Sequence, residues 1–201
     1  MLATETILGP LNDLQRQAVE TLNGPVLILA GAGSGKTRAL THRIANLMSQ
    51  GVPPWNILAV TFTNKAANEM KERIKRMLQI ADETGSVPHH LPAMGTFHSI
   101  CVRMLRRDIE AIGRERTFVI YDSDDQEKVM TLALRELKIA PEELKPRAAL
   151  SGIGKFKCEA ITPAQVKAQA TSYHVQRLAE VFGKYQAMLR EANALDFDDL
   201  L

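Results

Sequence analysis

The residue types best able to do chemistry are concentrated in one short stretch: Ala30, Gly31, Ala32, Gly33, Ser34, Gly35, Lys36 and Thr37. Glycine tolerates positive φ, so this stretch can curl until several backbone N–H groups point at one spot. Such donors suit the oxygens of a polyphosphate, with the Lys36 ammonium between the outer phosphates and the Thr37 hydroxyl on a magnesium ion. The stretch matches a phosphate-binding loop, except that Ala30 stands where the general pattern has its first glycine.

The flanking elements favour this interpretation over the alternative, a glycine-rich hairpin or linker. Pro25 to Ala30 is a continuous apolar run, which predicts a buried strand, and apolar residues recur at helical spacing from Leu40 to Met48. The same unit is repeated, with strands predicted over Asn56 to Phe62 and Ala93 to Phe97, each followed by a helical pattern, the last to about Ile112. Successive units of strand and helix predict an α/β fold with a parallel sheet.

From Gly113 onward the sequence predicts mainly helices. One further apolar run, Phe118 to Tyr121, is followed by Ser123 and Gln126, whose spacing is typical of a capping box that starts a helix through Leu137. Thr162-Pro163 starts another helix, and apolar residues mark a long last one: Val175, Leu178, Phe182, Tyr185 and Leu189. We therefore expect an α/β part followed by a mostly helical part.

Polar and aromatic residues follow two of the predicted strands. They are Thr61, Phe62, Thr63 and Asn64 after one strand and Thr96, Phe97, His98 and Ser99 after the next. Since ligands of open parallel sheets bind beyond the carboxyl ends of the strands, these residues and the glycine-rich loop should share one edge. The phenylalanines could stack on unpaired bases, although core packing is the commoner use of phenylalanine, and the short polar groups could contact phosphate and sugar. His98 and Ser99 are not a nucleophile pair, because adjacent side chains point apart and no third group orients them.

Four segments resemble, in order along the chain, the motifs of one protein family, and a fifth resembles a further segment of it. Leu11-Asn12-Asp13-Leu14-Gln15 resembles an adenine-reading Q motif, and Ala30 to Thr37 is similar to the family's phosphate-binding loop, alanine included. Thr61 to Ala67 and Gly95 to Ser99 resemble motifs Ia and Ib, and Leu195 to Leu201 resembles the segment that re-enters the motor core. The family is the UvrD/Rep/PcrA group of superfamily 1 DNA helicases, and the resemblance runs from Leu11 to Leu201.

The resemblance implies a fold, a domain division and ligands. The implied fold is a RecA-like P-loop NTPase with a mostly helical insertion: residues 1–112 as the N-terminal part of domain 1A, 113–194 as a 1B-like insertion and 195–201 as the start of the return to 1A. ATP and Mg²⁺ are the implied cofactors, with Gln15 on the adenine edge and Arg38 near the nucleotide. The implied partners are single-stranded DNA, bound by Phe62, Phe97 and their polar neighbours, the junction of single- and double-stranded DNA, and repair or replication proteins.

The resemblance also implies a parent protein that couples ATP hydrolysis to 3′-to-5′ movement along DNA in the bacterial cytoplasm. ATP cleavage needs an aspartate for magnesium, a glutamate for water and an arginine for the transferring phosphoryl, which the family carries beyond the position of Leu201. Asp122 ends an apolar run but no glutamate follows it, and Asp196, Asp198 and Asp199 are expected to start a helix rather than bind a metal. We therefore expect part of a longer chain that binds nucleotide weakly and hydrolyses almost none. The alternative is a non-hydrolysing DNA- or protein-binding module derived from such a helicase.

Composition alone does not decide between these functions. The net charge is +2, from 25 basic and 23 acidic residues, so binding to nucleic acid must depend on local placement. Cys101 and Cys158 lack the spacing of a disulfide framework or a zinc site, His89-His90 is expected in a solvated loop, and no export signal or membrane anchor is recognised. The basic residues of two predicted helices are interpreted as solvated faces: Lys71, Arg73, Lys75, Arg76, Arg103, Arg106 and Arg107.

Overall fold

A computed structural model describes residues 2–31, 33–81 and 90–201. Within these ranges the helices are α1 Leu2–Leu8, α2 Asp13–Glu20, α3 Lys36–Ser49, α4 Asn64–Ala81, α5 Phe97–Asp108, α6 Ser123–Glu136, α7 Pro146–Cys158, α8 Pro163–Gln169 and α9 Tyr173–Glu191. The strands are β1 Leu58–Thr61, β2 Ala93–Thr96, β3 Val119–Ile120 and β4 Ala194–Leu195. Ala32 and His89 lie outside the described residues, so their predicted roles are not addressed by the structure. The chain divides into two compact units, Met1–Ile100 and Cys101–Leu201.

The first unit is organised around the parallel pair of β1 and β2. Thr61 lies opposite Thr96 in this pair, so the two strands end at the same level. The helices α3 and α4 cover the pair with apolar residues four positions apart, which lie on one side of a helix. The buried core comprises Ile44, Met48, Ile57, Ala59, Met70, Ile74, Leu78 and Met94.

The predicted strand over Pro25 to Ala30 is not formed. The segment has no regular secondary structure, and the side chains of Leu27 and Leu29 are 82% and 86% exposed. A strand exists only through hydrogen bonds to a neighbouring strand, and in the described part of the chain β1 pairs with β2 rather than with this segment. The apolar side chains of this run are therefore exposed, although its composition predicts that they are buried.

The second unit is mostly helical, as the sequence predicts. Its core is formed chiefly by α6, α7 and α9, whose buried residues include Met130, Leu134, Ala149, Ile153, Leu178, Phe182, Tyr185 and Leu189. The strands β3 and β4 form a second short parallel pair, in which Ile120 lies opposite Leu195.

Asp122 has a structural role at the start of α6. Its carboxylate oxygen Oδ1 accepts hydrogen bonds from the backbone N–H groups of Asp124 and Asp125, both at 2.9 Å. The helix is therefore capped one residue earlier than the capping box predicted for Ser123 and Gln126, and the Gln126 amide instead donates to the carbonyl of Tyr121. Because its Oδ1 accepts two backbone N–H groups, Asp122 acts as the N-cap of α6.

A buried ionic network ties the last residues to α7 and α9. Lys157 Nζ lies 2.6 Å from Asp196 and 2.8 Å from Asp199, and the lysine and Asp196 side chains are 5% and 3% exposed. The Tyr185 hydroxyl donates to Asp196 at 3.1 Å, and burial, followed by the charge of Asp196, raises the pKa of Tyr185. The prediction that the three aspartates start a helix holds only in part, because Asp198–Leu200 is a single 3₁₀ turn and two of the carboxylates are partners of Lys157.

The described chain is thus mostly helical with small parallel sheets, in agreement with the coarse fold prediction. The complete RecA-like sheet, the 1B-like insertion and the three domain boundaries stay predictions. Among the described helices, none has the length and apolar character that a bilayer crossing requires. No grouping of three or more histidine, cysteine or acidic side chains in the described ranges is arranged to hold a metal ion.

Candidate functional site

The glycine-rich loop is curled in the way that its composition predicts. Gly33 and Gly35 have φ values of 76° and 86°, in the left-handed region that favours glycine. The backbone N–H and the hydroxyl of Ser34 both point back to the carbonyl of Gly31, the hydroxyl at 2.6 Å, which closes the turn. Gly35 then precedes α3 as its N-cap and has no side chain to cap the helix. The N–H groups of the first helical turn are therefore available to an anion, where the helix dipole adds positive potential.

Lys36 is exposed, and its ammonium group is hydrogen-bonded back to this loop. Its Nζ donates to the backbone carbonyls of Ala30 at 2.8 Å and Gly31 at 2.7 Å. A cavity of about 490 Å³ lies beside it, with Thr37 and Arg38 among its lining residues. Because Lys36, Thr37 and Arg38 all line this cavity at the start of α3, the residues fit a polyphosphate with its magnesium ion.

Gln15, in α2, lies against the loop. Asn12 and Gln15 form a capping box at the start of α2. The Asn12 side chain accepts the N–H of Gln15 at 2.9 Å, and the side-chain oxygen Oε1 of Gln15 accepts the N–H of Asn12 at 3.3 Å. The Gln15 amide nitrogen donates to the carbonyl of Ser34 at 3.0 Å. A Cβ atom at Gly35 would lie 2.5 Å from that nitrogen, so a larger residue would displace the Gln15 amide, and the φ of 86° independently favours glycine.

The cavity has lining residues that the sequence reasoning missed. Arg73 of α4 borders it together with Pro10 and Asn12. Arg73 was expected on a solvated helix face, and it does pair with Glu69, a partner four residues earlier. No local pattern could have placed it here, because it lies far along the chain from the loop. Within the described residues no carboxylate lines the cavity.

The parallel register of β1 and β2 brings the second group of predicted residues together. Phe62 and Phe97 directly follow the paired residues Thr61 and Thr96, and their ring centroids are 5.8 Å apart with an interplanar angle of 49°. Phe62 is 91% exposed and Phe97 is 44% exposed. Phe62 is therefore not a core residue, because the ring of a core phenylalanine is removed from water.

The hydroxyl groups of this edge are engaged in local hydrogen bonds. The Thr63 hydroxyl oxygen accepts the N–H of Ala66 at 3.2 Å at the start of α4, and that of Thr96 accepts the N–H of Ser99 at 3.2 Å at the start of α5. The Ser99 hydroxyl donates to the carbonyl of Thr96 at 2.9 Å. These side chains therefore stabilise two helix starts, while Asn64 and His98 are exposed beside them. Their predicted contacts with phosphate and sugar stay predictions.

The curled loop, the lysine hydrogen-bonded to it and the uncapped start of α3 together have the geometry of a P-loop, so the first unit has the features of a nucleotide-binding protein. The chain belongs to the family described as UvrD/REP helicase N-terminal domain, whose model matches residues 11–201. This confirms the family that the motifs indicate.

Individual relatives agree with the family assignment. The chain is 47% identical over 196 residues to the ATP-dependent DNA helicase PcrA of Staphylococcus aureus and 47% identical over 197 residues to the protein of the same name from Bacillus subtilis. Each match covers 97% of this chain and 26% of the relative. A PcrA helicase of Staphylococcus epidermidis is 46% identical over 192 residues. The chain thus spans about a quarter of the length of these relatives.

Proposed function

We propose that this chain is the ATP- and single-stranded DNA-binding part of an ATP-dependent DNA helicase that couples hydrolysis to 3′-to-5′ translocation and unwinding. The observation that carries the proposal is the hydrogen bonding of Lys36 to the loop, beside the cavity that Thr37 and Arg38 line. The relatives named ATP-dependent DNA helicases support the helicase activity, and the direction is that of the family that the motifs resemble. The same likeness supports residues 1–112, 113–194 and 195–201 as domain segments, a bacterial cytoplasmic location, and repair or replication proteins as partners.

In the nucleotide site each residue has a proposed role. Lys36 and the N–H groups at the start of α3 bind the outer phosphates, and Thr37 supplies a hydroxyl ligand to Mg²⁺. Gln15 reads the adenine edge with the second N–H and the second lone pair of its amide, since one N–H is donated to Ser34 and the oxygen already accepts the N–H of Asn12. The magnesium ion, when bound, neutralises charge on the phosphates; the described residues supply binding and orientation.

Nucleotide binding is tested by isothermal titration of ATP with Mg²⁺ into the wild-type chain and Lys36→Ala. A hydrogen bond to a charged group contributes about 1.5–3 kcal/mol, so we expect about 10- to 150-fold weaker binding. Lys71→Ala is the matched control, because it removes one lysine from α4 away from the cavity lining. Equal affinities of wild type and Lys36→Ala would remove the basis of the proposal.

DNA binding is tested by fluorescence anisotropy with a labelled single-stranded oligonucleotide. Stacking of one base on an aromatic ring contributes about 1–3 kcal/mol, so Phe62→Ala should weaken binding about 5- to 150-fold. Trp55→Ala is the control, because Trp55 is also an exposed aromatic residue, at 78%, but precedes β1 instead of following it. If both variants bind as wild type does, Phe62 is not a base-stacking residue.

We expect the 201 residues to bind nucleotide without efficient turnover. Hydrolysis requires carboxylates that hold magnesium and position water, and the described lining of the cavity offers the cations Lys36, Arg38 and Arg73 without a carboxylate. Steady-state release of phosphate should therefore stay near the uncatalysed background in the presence of single-stranded DNA. Turnover typical of an intact helicase that is lost in Lys36→Ala would contradict this expectation.

A further inference from the structure

A second cavity, of about 490 Å³, lies within the unit Cys101–Leu201. One side of it is formed by α9, through Gln186 and Arg190, and the others by Arg114, Leu195 and Asp199. None of the predicted nucleotide or DNA contacts lies in this unit. The predicted nucleotide and DNA contacts therefore do not assign a ligand to this cavity.

Two arginines border this cavity without a carboxylate partner. Arg114 is half-buried, and its Nη2 donates to the carbonyl of Ala194, which holds the guanidinium in place. Burial lowers the pKa of Arg114, the charge of Asp199 raises it, and the nearby charge of Arg190 lowers it again. Within the described residues neither Arg114 nor Arg190 has a carboxylate within ion-pair distance, whereas four other arginines of the unit do: Arg107, Arg116, Arg147 and Arg177.

Asp199 supplies only part of the counter-charge: its charge raises the pKa of Arg114, but in the described part of the chain its carboxylate is within ion-pair distance of neither arginine. Its Oδ1 lies 2.8 Å from Lys157 Nζ and accepts a hydrogen bond from the Gln186 amide at 3.1 Å, while its Oδ2 accepts the N–H of Asp196 at 3.1 Å. Both carboxylate oxygens are thus occupied by donors inside the fold. The lining contains two guanidinium groups and one carboxylate, so it keeps an excess of positive charge.

We propose that this cleft binds a phosphate group between Arg114 and Arg190. A guanidinium presents a planar set of donors that matches phosphate oxygens in pairs, and two of them facing one cavity can contact the same phosphate. The Ala194 carbonyl fixes one guanidinium, so part of its ordering cost is met before the ligand arrives. The phosphate is either a phosphodiester of the DNA backbone, a source that rests on the proposed function, or a free phosphate-bearing molecule.

The first experiment does not depend on DNA. Inorganic phosphate is titrated into the ¹⁵N-labelled chain while the side-chain Nε–Hε resonances of Arg114 and Arg190 are followed by NMR, with chloride at equal ionic strength as the reference. We expect saturable shifts of both resonances in the wild-type chain. The shift of the remaining arginine should disappear in Arg114→Gln and in Arg190→Gln, whereas both shifts should persist in Arg107→Gln, which loses the same charge from an exposed site. Shifts that do not saturate, or that chloride reproduces, would overturn the proposal.

The second experiment identifies the source of the phosphate. Anisotropy titrations with labelled single-stranded and duplex oligonucleotides are repeated at several salt concentrations for Arg114→Gln/Arg190→Gln and for the charge-matched Arg107→Gln/Arg147→Gln. Loss of one phosphate contact should weaken binding and reduce the slope of log affinity against log salt by about one in the first double variant only. If the slope of log affinity against log salt is the same in both double variants as in the wild-type chain, and the NMR shifts are saturable, the cleft binds a free phosphate.

The two proposals fail in distinguishable ways. If Phe62→Ala loses DNA binding while phosphate causes no saturable shift at Arg114 or Arg190, the cleft proposal is wrong and the proposed function stands. If the wild-type chain binds no DNA but phosphate shifts both arginines, the DNA-binding function fails and the cleft is a site for a small phosphate-bearing ligand.

Discussion

Lys157→Met tests the buried ionic network of the second unit. The substitution keeps most of the length of the side chain and removes its charge, which leaves Asp196 and Asp199 without the cation that lies 2.6 and 2.8 Å away. Removing one partner of a buried pair costs about 3–5 kcal/mol, because the remaining charge is neither hydrated nor paired. We expect a loss of this size in the free energy of unfolding at pH 7, measured by urea denaturation followed by circular dichroism.

The loss should decrease as the pH is lowered. Burial raises the pKa of the Asp196 carboxyl and Lys157 lowers it, so removal of the lysine leaves the pKa higher still. The folded variant then binds a proton more tightly than the unfolded chain, whose aspartate titrates near pH 3.9. Stability of the variant therefore rises relative to wild type as the pH falls through the raised pKa toward about 4.

Lys155→Met is the matched control for this prediction. Lys155 lies on the same helix and is exposed, so its replacement should change the free energy of unfolding by no more than about 0.5 kcal/mol. Hydrogen exchange resolved by peptide would place the loss of protection of Lys157→Met in α7, α9 and residues 194–200. A Lys157→Met protein as stable as the control, or one whose deficit is the same at about pH 4 and at pH 7, would refute the reasoning.

Three further substitutions test other parts of the fold. Gly35→Ala should cost about 1–3 kcal/mol of stability in thermal denaturation and weaken ATP binding, because φ is 86° and the new Cβ would lie 2.5 Å from the Gln15 amide nitrogen. Asp122→Ala should cost about 0.5–2 kcal/mol through loss of the α6 cap and leave ATP affinity unchanged in calorimetry; a large loss of affinity would contradict its role as a cap. Gly152→Ala should cost about 1–3 kcal/mol in urea denaturation, since its Cβ would lie 2.7 Å from Leu178, and an unaltered midpoint would show that α9 yields without strain.

Local patterns predicted most of the elements. Apolar runs bounded by turn residues located β1 and β2, and helical spacing located α3, α4 and α9, because the determinants of these elements lie within a few residues of one another. The run from Pro25 to Ala30 is apolar, as β1 is, but forms no strand, since pairing depends on a neighbour that the run itself does not specify.

The candidate site likewise contains residues that local sequence patterns predicted and residues that they did not. The loop around Lys36 was found because phosphate binding needs residue types at fixed short spacing, which a sequence displays directly. Arg73 at the cavity and Lys157 beneath Asp196 were not found, because each contact joins segments far apart in the chain; Lys157 and Asp196 are 39 residues apart. From sequence alone, a lysine in a helix is expected to be solvated, and only the fold shows that Lys157 faces two buried carboxylates.

If the loop binds an anion as proposed, the two carbonyls that hold Lys36 make that binding an exchange of hydrogen-bond partners. An incoming anion has to replace both of these oxygens, so its net gain is the difference between its own contacts and those already present. Ligands with one weakly charged oxygen offset little of that loss, whereas a chain of phosphates presents several oxygens at once. The loop's own backbone thus acts as a competitor that selects for highly charged ligands before any feature of the base or sugar is recognised.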